Sequence, residues 1–373
     1  MHDIALIFYS FSLIESFYKK KAKKVVLCLI PFSIKDNPFQ MITSPFEEYK
    51  NKAISDYANG YDVLTKEEEV LRIVKNKQVL ADCPIGHYEN QFISKLEKVC
   101  SLDLKHHENY LLNESHVSKL KGRFGFSKFR SHTESIFKKR FDFIENTALV
   151  DFKGFLSQGH ALNYFDTRNQ LLGNNFSTRL SHLLNIGLIR SKDVIQLVSD
   201  YEKKNHANKS TYWIKFELLW REYFYWLYIK NSEVFFRSKG FDGGTLKLDD
   251  LSENEYLKKM NTNPLIRAMN KELVETGFLS NRSRQIYASY LVNCIDLDWR
   301  YGAWFFQMHL KDYDLFSNWG NWLYLSGFGT DSRGPRFFNI VKQMKSYDPD
   351  LDYLKKWNEY SSNAWKEIDN SHL

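Results

Sequence analysis

The stretch Thr211–Trp226, TYWIKFELLWREYFYW, constrains this chain more than any other. Read at helical spacing, Trp213, Glu217, Trp220 and Phe224 fall at i, i+4, i+7 and i+11 and share one face. Arg221 lies beside that face. Charged side chains are seldom buried unless they are paired or have work to do, so a carboxylate among indoles is unusual for a plain core helix. The competing reading is an aromatic helix whose Glu217 and Arg221 form an i, i+4 pair at the surface. A second segment, Asn318–Tyr324 (NWGNWLY), answers the first.

Such a helix needs a large apolar surround, and 373 residues at 43% hydrophobic supply one, enough for two domains. Nine Trp, 22 Tyr and 29 Phe suit stacking on planar partners such as flavins or bases, although large aromatic cores are the commoner cause. A net charge of +7 is compatible with a phosphate-bearing partner. Cys28, Cys83, Cys100 and Cys294 form neither a CxxC pair nor a disulfide framework, and read as reduced thiols of a cytoplasmic protein. The apolar opening Ile4–Ile14 is too short to span a bilayer and lacks a signal-peptide layout. No membrane partner and no obligate protein partner is expected. His106, His107 and His116 lack companion carboxylate or cysteine spacing, so no metal is expected either.

The first third reads as α/β. Lys24–Ile30 suits a buried parallel strand. Thr65–Lys75 reads as a helix with Thr65 and Glu68 spaced as a capping box. Val79–Ala81 reads as a strand, and Phe92, Leu96 and Val99 mark another helix. This order points to a small parallel sheet with crossover helices. No GxGxxG or GxxxxGK[ST] supports a dinucleotide or P-loop site there. Gly122–Lys139 is basic with interleaved phenylalanines, and is read as a solvated connecting helix in preference to a nucleic-acid contact. From about residue 160 the pattern is helical, clearest over Leu180–Gly187, Asp193–Tyr201, Thr211–Tyr228, Asn263–Thr276, Arg284–Cys294 and Ala303–Leu310. The expected division is an α/β domain over 1–124, a connector over 125–160 and an all-α domain over 161–373.

Three further segments carry candidate chemistry. In Tyr164–Ser181, the residues Ser177, Thr178 and Ser181 offer donors to a phosphate at a helix opening, or simple N-capping. Asn281–Arg284 (NRSR) offers an amide and two guanidiniums, or a polar turn. Asp312 and Asp314 suit hydrogen bonds from a sugar or ring imide, or a C-terminal helix cap region.

The order of these blocks resembles the flavin domain of the photolyase/cryptochrome family. The match is nearest to its DASH-type cryptochromes, which act mainly as single-strand-preferring pyrimidine-dimer photolyases. TRNQLLGNNFSTRLSHLLNIG, STYWIKFELLWREYF, TGFLSNRSRQIYASYLV, DLDWRYGAWFF and DYDLFSNWGNWLY carry the resemblance. It implies FAD as cofactor, DNA containing pyrimidine dimers as partner and blue-light repair as activity. The alternative within the same family is a blue-light sensor or nucleic-acid-binding regulator without repair. By position, Tyr164 and Ser177, Thr178, Arg179, Leu180 and Ser181 would hold the FAD diphosphate region. Arg221, Asn281, Arg284, Asp312, Asp314 and Asn318 would complete the flavin pocket. Glu217 matches the carboxylate that meets the dimer, and Trp220 and Tyr324 match the flanking aromatics. Arg168, Arg282, Asn339 and Gln343 match positions near the DNA or the lesion pocket. Trp322 and Trp299 match the inner and middle tryptophans of the electron path.

Three departures accompany the match. The family's opening-strand signature has no counterpart before residue 40, so the N-terminal domain is short and the second, antenna chromophore is in doubt. Either the chain is a natural minimal form or its gene start lies upstream. The outer tryptophan is expected near Leu246–Leu248, which holds no aromatic, so photoreduction should be slow or rerouted. Arg267 stands where the family has an aspartate.

Overall fold

The computed structural model describes residues 1–8, 18–28, 54, 60–82, 87–105, 109–173, 175–244, 246–331 and 333–370. His106 and His107 lie outside them. The first part is a parallel sheet of strands β1 (His2–Ile7), β2 (Ala22–Cys28), β3 (Asp62–Leu64), β4 (Gln78–Asp82) and β5 (Ser101–Lys105), ordered β3-β2-β1-β4-β5. The register pairs Ile4 with Lys24 on one side and with Val79 on the other. Ala5, Leu6, Ile7, Val26 and Leu27 are completely buried, as expected of central parallel strands covered on both faces.

Helix α1 (Glu67–Val74) joins β3 to β4, and α2 (His87–Leu96) joins β4 to β5. The expected capping box is corrected here. The N-cap is Lys66, with no side-chain cap, and Glu67, Glu68 and Glu69 in the first turn face the positive end of the helix dipole instead. Val99 follows α2 in a turn, where its carbonyl accepts from Asn76.

The remainder is helical and forms one continuous core from Tyr110 to Ile368. Its main helices are α3 (Phe126–Thr133), α4 (Ser191–Asn205), α5 (Lys209–Asn231), α6 (Pro264–Thr276), α7 (Asn281–Asn293), α8 (Trp299–His309), α9 (Leu315–Leu325) and α10 (Ile340–Tyr347). α5 is the central rod. Asn208 caps it by accepting from Thr211 N at 2.9 Å, and the Thr211 hydroxyl accepts from Asn208 N in return. Apolar residues occur all round α5, as in a helix enclosed by its neighbours.

Gly122–Lys139 is not a solvated connector. Phe124, Phe129 and Ile136 are buried, and the Tyr223 hydroxyl donates to Phe124 O at 3.1 Å. Its phenylalanines therefore serve the core, while its lysines stay outside. The sheet packs on the helical part through Ala5, Ile7 and Leu27 against Ile186 and Leu188. Arg267 finds its partner in Glu359, at 2.6 Å, which ties α6 to the C-terminal segment. No helix among the described residues is long and apolar enough to cross a membrane.

Candidate functional site

Glu217 sits midway along α5 with its side chain 32% exposed. The competing reading, a pair with Arg221, does not occur. Glu217 Oε1 accepts from Arg168 Nη1 at 2.8 Å and from Trp213 Nε1 at 3.0 Å. Oε2 has no hydrogen bond among the described residues. Burial raises the carboxyl pKa, against the opposing pull of Arg168 and the Trp213 donor. Arg168 in turn lies over the Trp213 ring at 4.7 Å. Tyr164 is buried beside this pair, and burial chiefly raises its phenol pKa.

One helical turn on, Trp220 meets Tyr324 edge-on, with centroids 5.5 Å apart and planes at 78°. Phe126 covers Trp220 with a parallel stack at 3.7 Å. Tyr324 receives a donation from Arg333 at 3.3 Å, and burial together with Asp331 pushes its phenol up to about 12.

The opposite flank of α5 is polar. Arg221 lies 3.8 Å from Asp314, donates to Leu184 O at 3.3 Å and covers the Tyr110 ring at 4.2 Å. Asp314 also caps α9 by accepting from Ser317 N at 2.8 Å. Asp312 is gripped by Arg284, whose Nη2 lies 2.8 and 2.9 Å from its two oxygens. Asp314 thus caps the start of α9, not the end of the preceding helix, alongside its place near Arg221. Asn318 Nδ2 donates to Ala303 O at 2.9 Å, which leaves Oδ1 as an acceptor.

Ser177 and Thr178 do not open a helix. The short helix runs Ser181–Asn185 after Leu180, while Ser177 Oγ accepts from Arg179 N at 3.2 Å. Arg179 adopts a left-handed backbone, φ 54°, and its guanidinium lies over Phe278 at 3.9 Å. Leu180 is buried in the core, and Ser181 and Asn281 are exposed.

Arg282 and Gln343 come together at 3.4 Å, and Arg282 also donates to Asn169 at 2.9 Å. Asn339 caps α10 through Lys342 N at 2.9 Å. Trp322 and Trp299 are each 2% exposed. Leu246 is 64% exposed, so the stretch without an aromatic is a surface one.

Sequence reasoning passed over Phe126, Tyr110, Asn169, Asn185 and Glu222. Asn185 donates to Asp312 O at 2.8 Å and also to Tyr313 O, joining the Ser181–Asn185 helix to the acidic segment. Each acts on a residue remote in sequence, Asn169 on Arg282 and Phe126 on Trp220 among them, so spacing carries no trace of them. The donor set fits FAD. Arg221 Nη1 is buried without a partner among the described residues, beside carboxylates, an amide and aromatic rings. A polar, planar group would satisfy that donor.

The family model described as FAD binding domain of DNA photolyase matches residues 213–368. The chain is 41% identical over 215 residues to the Cryptochrome DASH of Idiomarina loihiensis, covering 57% of this chain and 48% of that protein. The chain thus spans about half the length of such curated relatives. Its structure is similar to the Synechocystis sp. PCC6803 cryptochrome, with TM-score 0.82, 25% identity, and 99% of this chain and 91% of that one covered. The archaeal photolyase from Sulfolobus tokodaii, at 21% identity and TM-score 0.69, covers 95% and 90% of the respective chains and shares the fold.

Proposed function

Because residues 213–368 belong to the FAD-binding domain family of DNA photolyase, we propose that this chain is a deoxyribodipyrimidine photolyase. In this reading it is a carbon–carbon lyase that repairs cyclobutane pyrimidine dimers in blue light, preferring single-stranded DNA. The observation that carries the proposal is the asymmetric Glu217 carboxyl beside an aromatic corner. Both donors use Oε1, leaving Oε2 to hold a proton and donate it in a hydrogen bond to a base carbonyl. The raised pKa favours that protonated form.

Trp220 and Tyr324 would flank an extruded dimer. A damaged pair costs less to unstack than an intact one, and each stacked base recovers about 1–3 kcal/mol. Arg168, Arg282, Asn339 and Gln343 would meet the DNA strand. Tyr164, Ser177, Thr178, Arg179, Leu180, Ser181, Arg221, Asn281, Arg284, Asp312, Asp314 and Asn318 would hold FAD. Bound and reduced, FAD supplies a single electron on absorbing blue light. Arg221 and Arg284 hold positive charge where the cofactor binds, and the surrounding rings keep water out. The proposed division is a reduced α/β domain over 1–124, a connector over 125–160 that packs into the helical core instead of lying in solvent, and a FAD domain over 161–373. Cysteines without a disulfide framework fit work in a reducing cytoplasm.

The test is repair of a thymine dimer in a single-stranded oligonucleotide by chemically reduced, flavin-replete protein, in light and in darkness. Light-dependent return of intact thymines is expected. Glu217→Leu, which removes the donor, should retain flavin and lower repair roughly 10- to 100-fold, the worth of a hydrogen bond to developing charge at about 1.5–3 kcal/mol, whereas Glu217→Gln keeps an NH₂ donor in place of Oε2 and should lower repair by less. No repair by the wild type with reduced flavin bound would replace this reading with the light sensor.

A further inference from the structure

Arg221 carries a charge that the protein answers only in part. Its Nη2 lies 3.8 Å from Asp314 and donates to Leu184 O at 3.3 Å, while Nη1 is buried without a partner among the described residues. A guanidinium on a long flexible stem keeps one direction only if something holds its plane, and an aromatic face does this. Arg221 Cζ stands 4.2 Å from the centroid of the Tyr110 ring, and the Tyr225 ring stacks on Tyr110 at 3.9 Å and 17°. One face of a phenol cannot hold both groups at those distances. Tyr110 is therefore wedged between positions i and i+4 of α5. The wedge is fixed on both sides along the chain. Asn109 O accepts from Ser191 N at 3.2 Å, and Leu111 N and Leu112 N donate to Glu222 at 2.7 and 3.2 Å. Burial raises the Tyr110 phenol well above its ordinary value, so the ring stays neutral.

We propose that Tyr110 is the positioning residue for Arg221, holding the guanidinium plane so that Nη1 is left for the flavin cofactor. The inference rests on the place of Arg221 in the FAD site proposed above, and it adds a residue from outside the matched segment 213–368. Two carboxylates compete for the same cation. Asp314 lies 3.8 Å away, and Glu222, the next residue of α5, also attracts its charge. Without a ring at position 110 the guanidinium would turn into the emptied slot towards Glu222 and be neutralised inside the protein. A neutral ring face holds the cation in place through its quadrupole and cancels none of its charge. The charge therefore stays available to a ligand.

The experiment is a double-mutant cycle on FAD affinity. The full, flavin-loaded chain is diluted in series and released FAD is followed by its fluorescence, with far-UV circular dichroism as the check on folding. Tyr110→Leu should raise the FAD Kd about tenfold, within the coupling range of residues in contact. Tyr110→Phe keeps the ring face and should stay within about threefold of the wild type. In an Arg221→Met background, Tyr110→Leu should change Kd by less than about twofold, because no guanidinium is left to position. Tyr110→Met fills more of the slot without offering a ring, and carries the same expectation if Tyr110→Leu does not fold. Equal losses in both backgrounds would make Tyr110 a support of the fold alone and overturn the assignment, as would wild-type affinity in Tyr110→Leu. An unchanged Kd in Arg221→Met by itself would instead remove Arg221 from the FAD site, the reading beneath the inference, and would leave the repair reading to its own test.

Discussion

Glu222 follows Arg221 on α5 and is fully buried, accepting from Leu111 N at 2.7 Å and Leu112 N at 3.2 Å. It thereby pins the turn segment that carries Tyr110, and Tyr110 stacks at 3.9 Å on Tyr225 beneath Arg221. Burial outweighs the two amide donors and raises the carboxyl from 4.5 to about 7. A carboxyl raised on folding adds stability that is complete below its unfolded pKa and is lost as pH climbs through the folded value. Glu222→Gln turns an amide NH₂ towards one of two backbone donors, leaving it unsatisfied at a cost of about 1–3 kcal/mol. Urea titrations should therefore show the wild type ahead of Glu222→Gln by a margin widest near pH 5 and shrinking towards pH 8. A margin that is flat across this range would show that Glu222 keeps the same charge state throughout. Periodicity could place Glu217, Trp220 and Arg221 on one helix. It could not show that Glu217 answers Arg168 while Arg221 answers Asp314, because those partners lie 49 and 93 positions away.

At the scale of elements, the site depends on how closely α5, α8 and α9 approach. A Cβ added to Gly302 would stand 2.1 Å from Trp322 Cη2, and one added to Gly320 would stand 2.3 Å from Phe224 Cδ1. Glycine inside a helix costs about 1 kcal/mol relative to alanine, so these two are retained for contact, not for helix formation. The same crossings hold Asn318 against Ala303. Gly320→Ala and Gly302→Ala should each lose about 1–3 kcal/mol through overpacking, the reverse of their propensity effect. Thermal unfolding read beside flavin content tests this: a stabilised Gly320→Ala would mean that the α5–α9 contact can open without loss. Helices were legible where apolar spacing persisted, as in α5 and α6, with ends displaced by a few residues. β1 was read only as an apolar opening, and β3 and β5 are too short or too polar to announce themselves. The parallel order comes from pairings that no local pattern contains.

Across the whole molecule, residues 109–138 bind parts of the helical half that are remote in sequence. Phe126 backs Trp220, Arg123 reaches Asp242 at 3.0 Å, and the Tyr223 hydroxyl ties Phe124 to Thr330. A segment read from its basic residues as a solvated connector is thus part of the wall behind the proposed base pocket. Its charge still faces outward and contributes to the overall +7. Positive charge that meets a strand backbone releases counterions, with a slope of about −0.7 in log affinity against log salt for each phosphate on single strands. In the proposed reading Arg282 makes one such contact. It lies over Phe338 and Tyr347 at 5.5 and 5.1 Å, and its Nε is buried without a partner among the described residues. Arg282→Ala should weaken binding of an undamaged oligothymidylate and of a dimer-containing one by similar factors, and flatten the salt slope by about 0.7. Fluorescence anisotropy at 50 to 200 mM salt separates the possibilities. An unchanged slope with selective loss of dimer binding would move Arg282 from the strand backbone to the lesion itself.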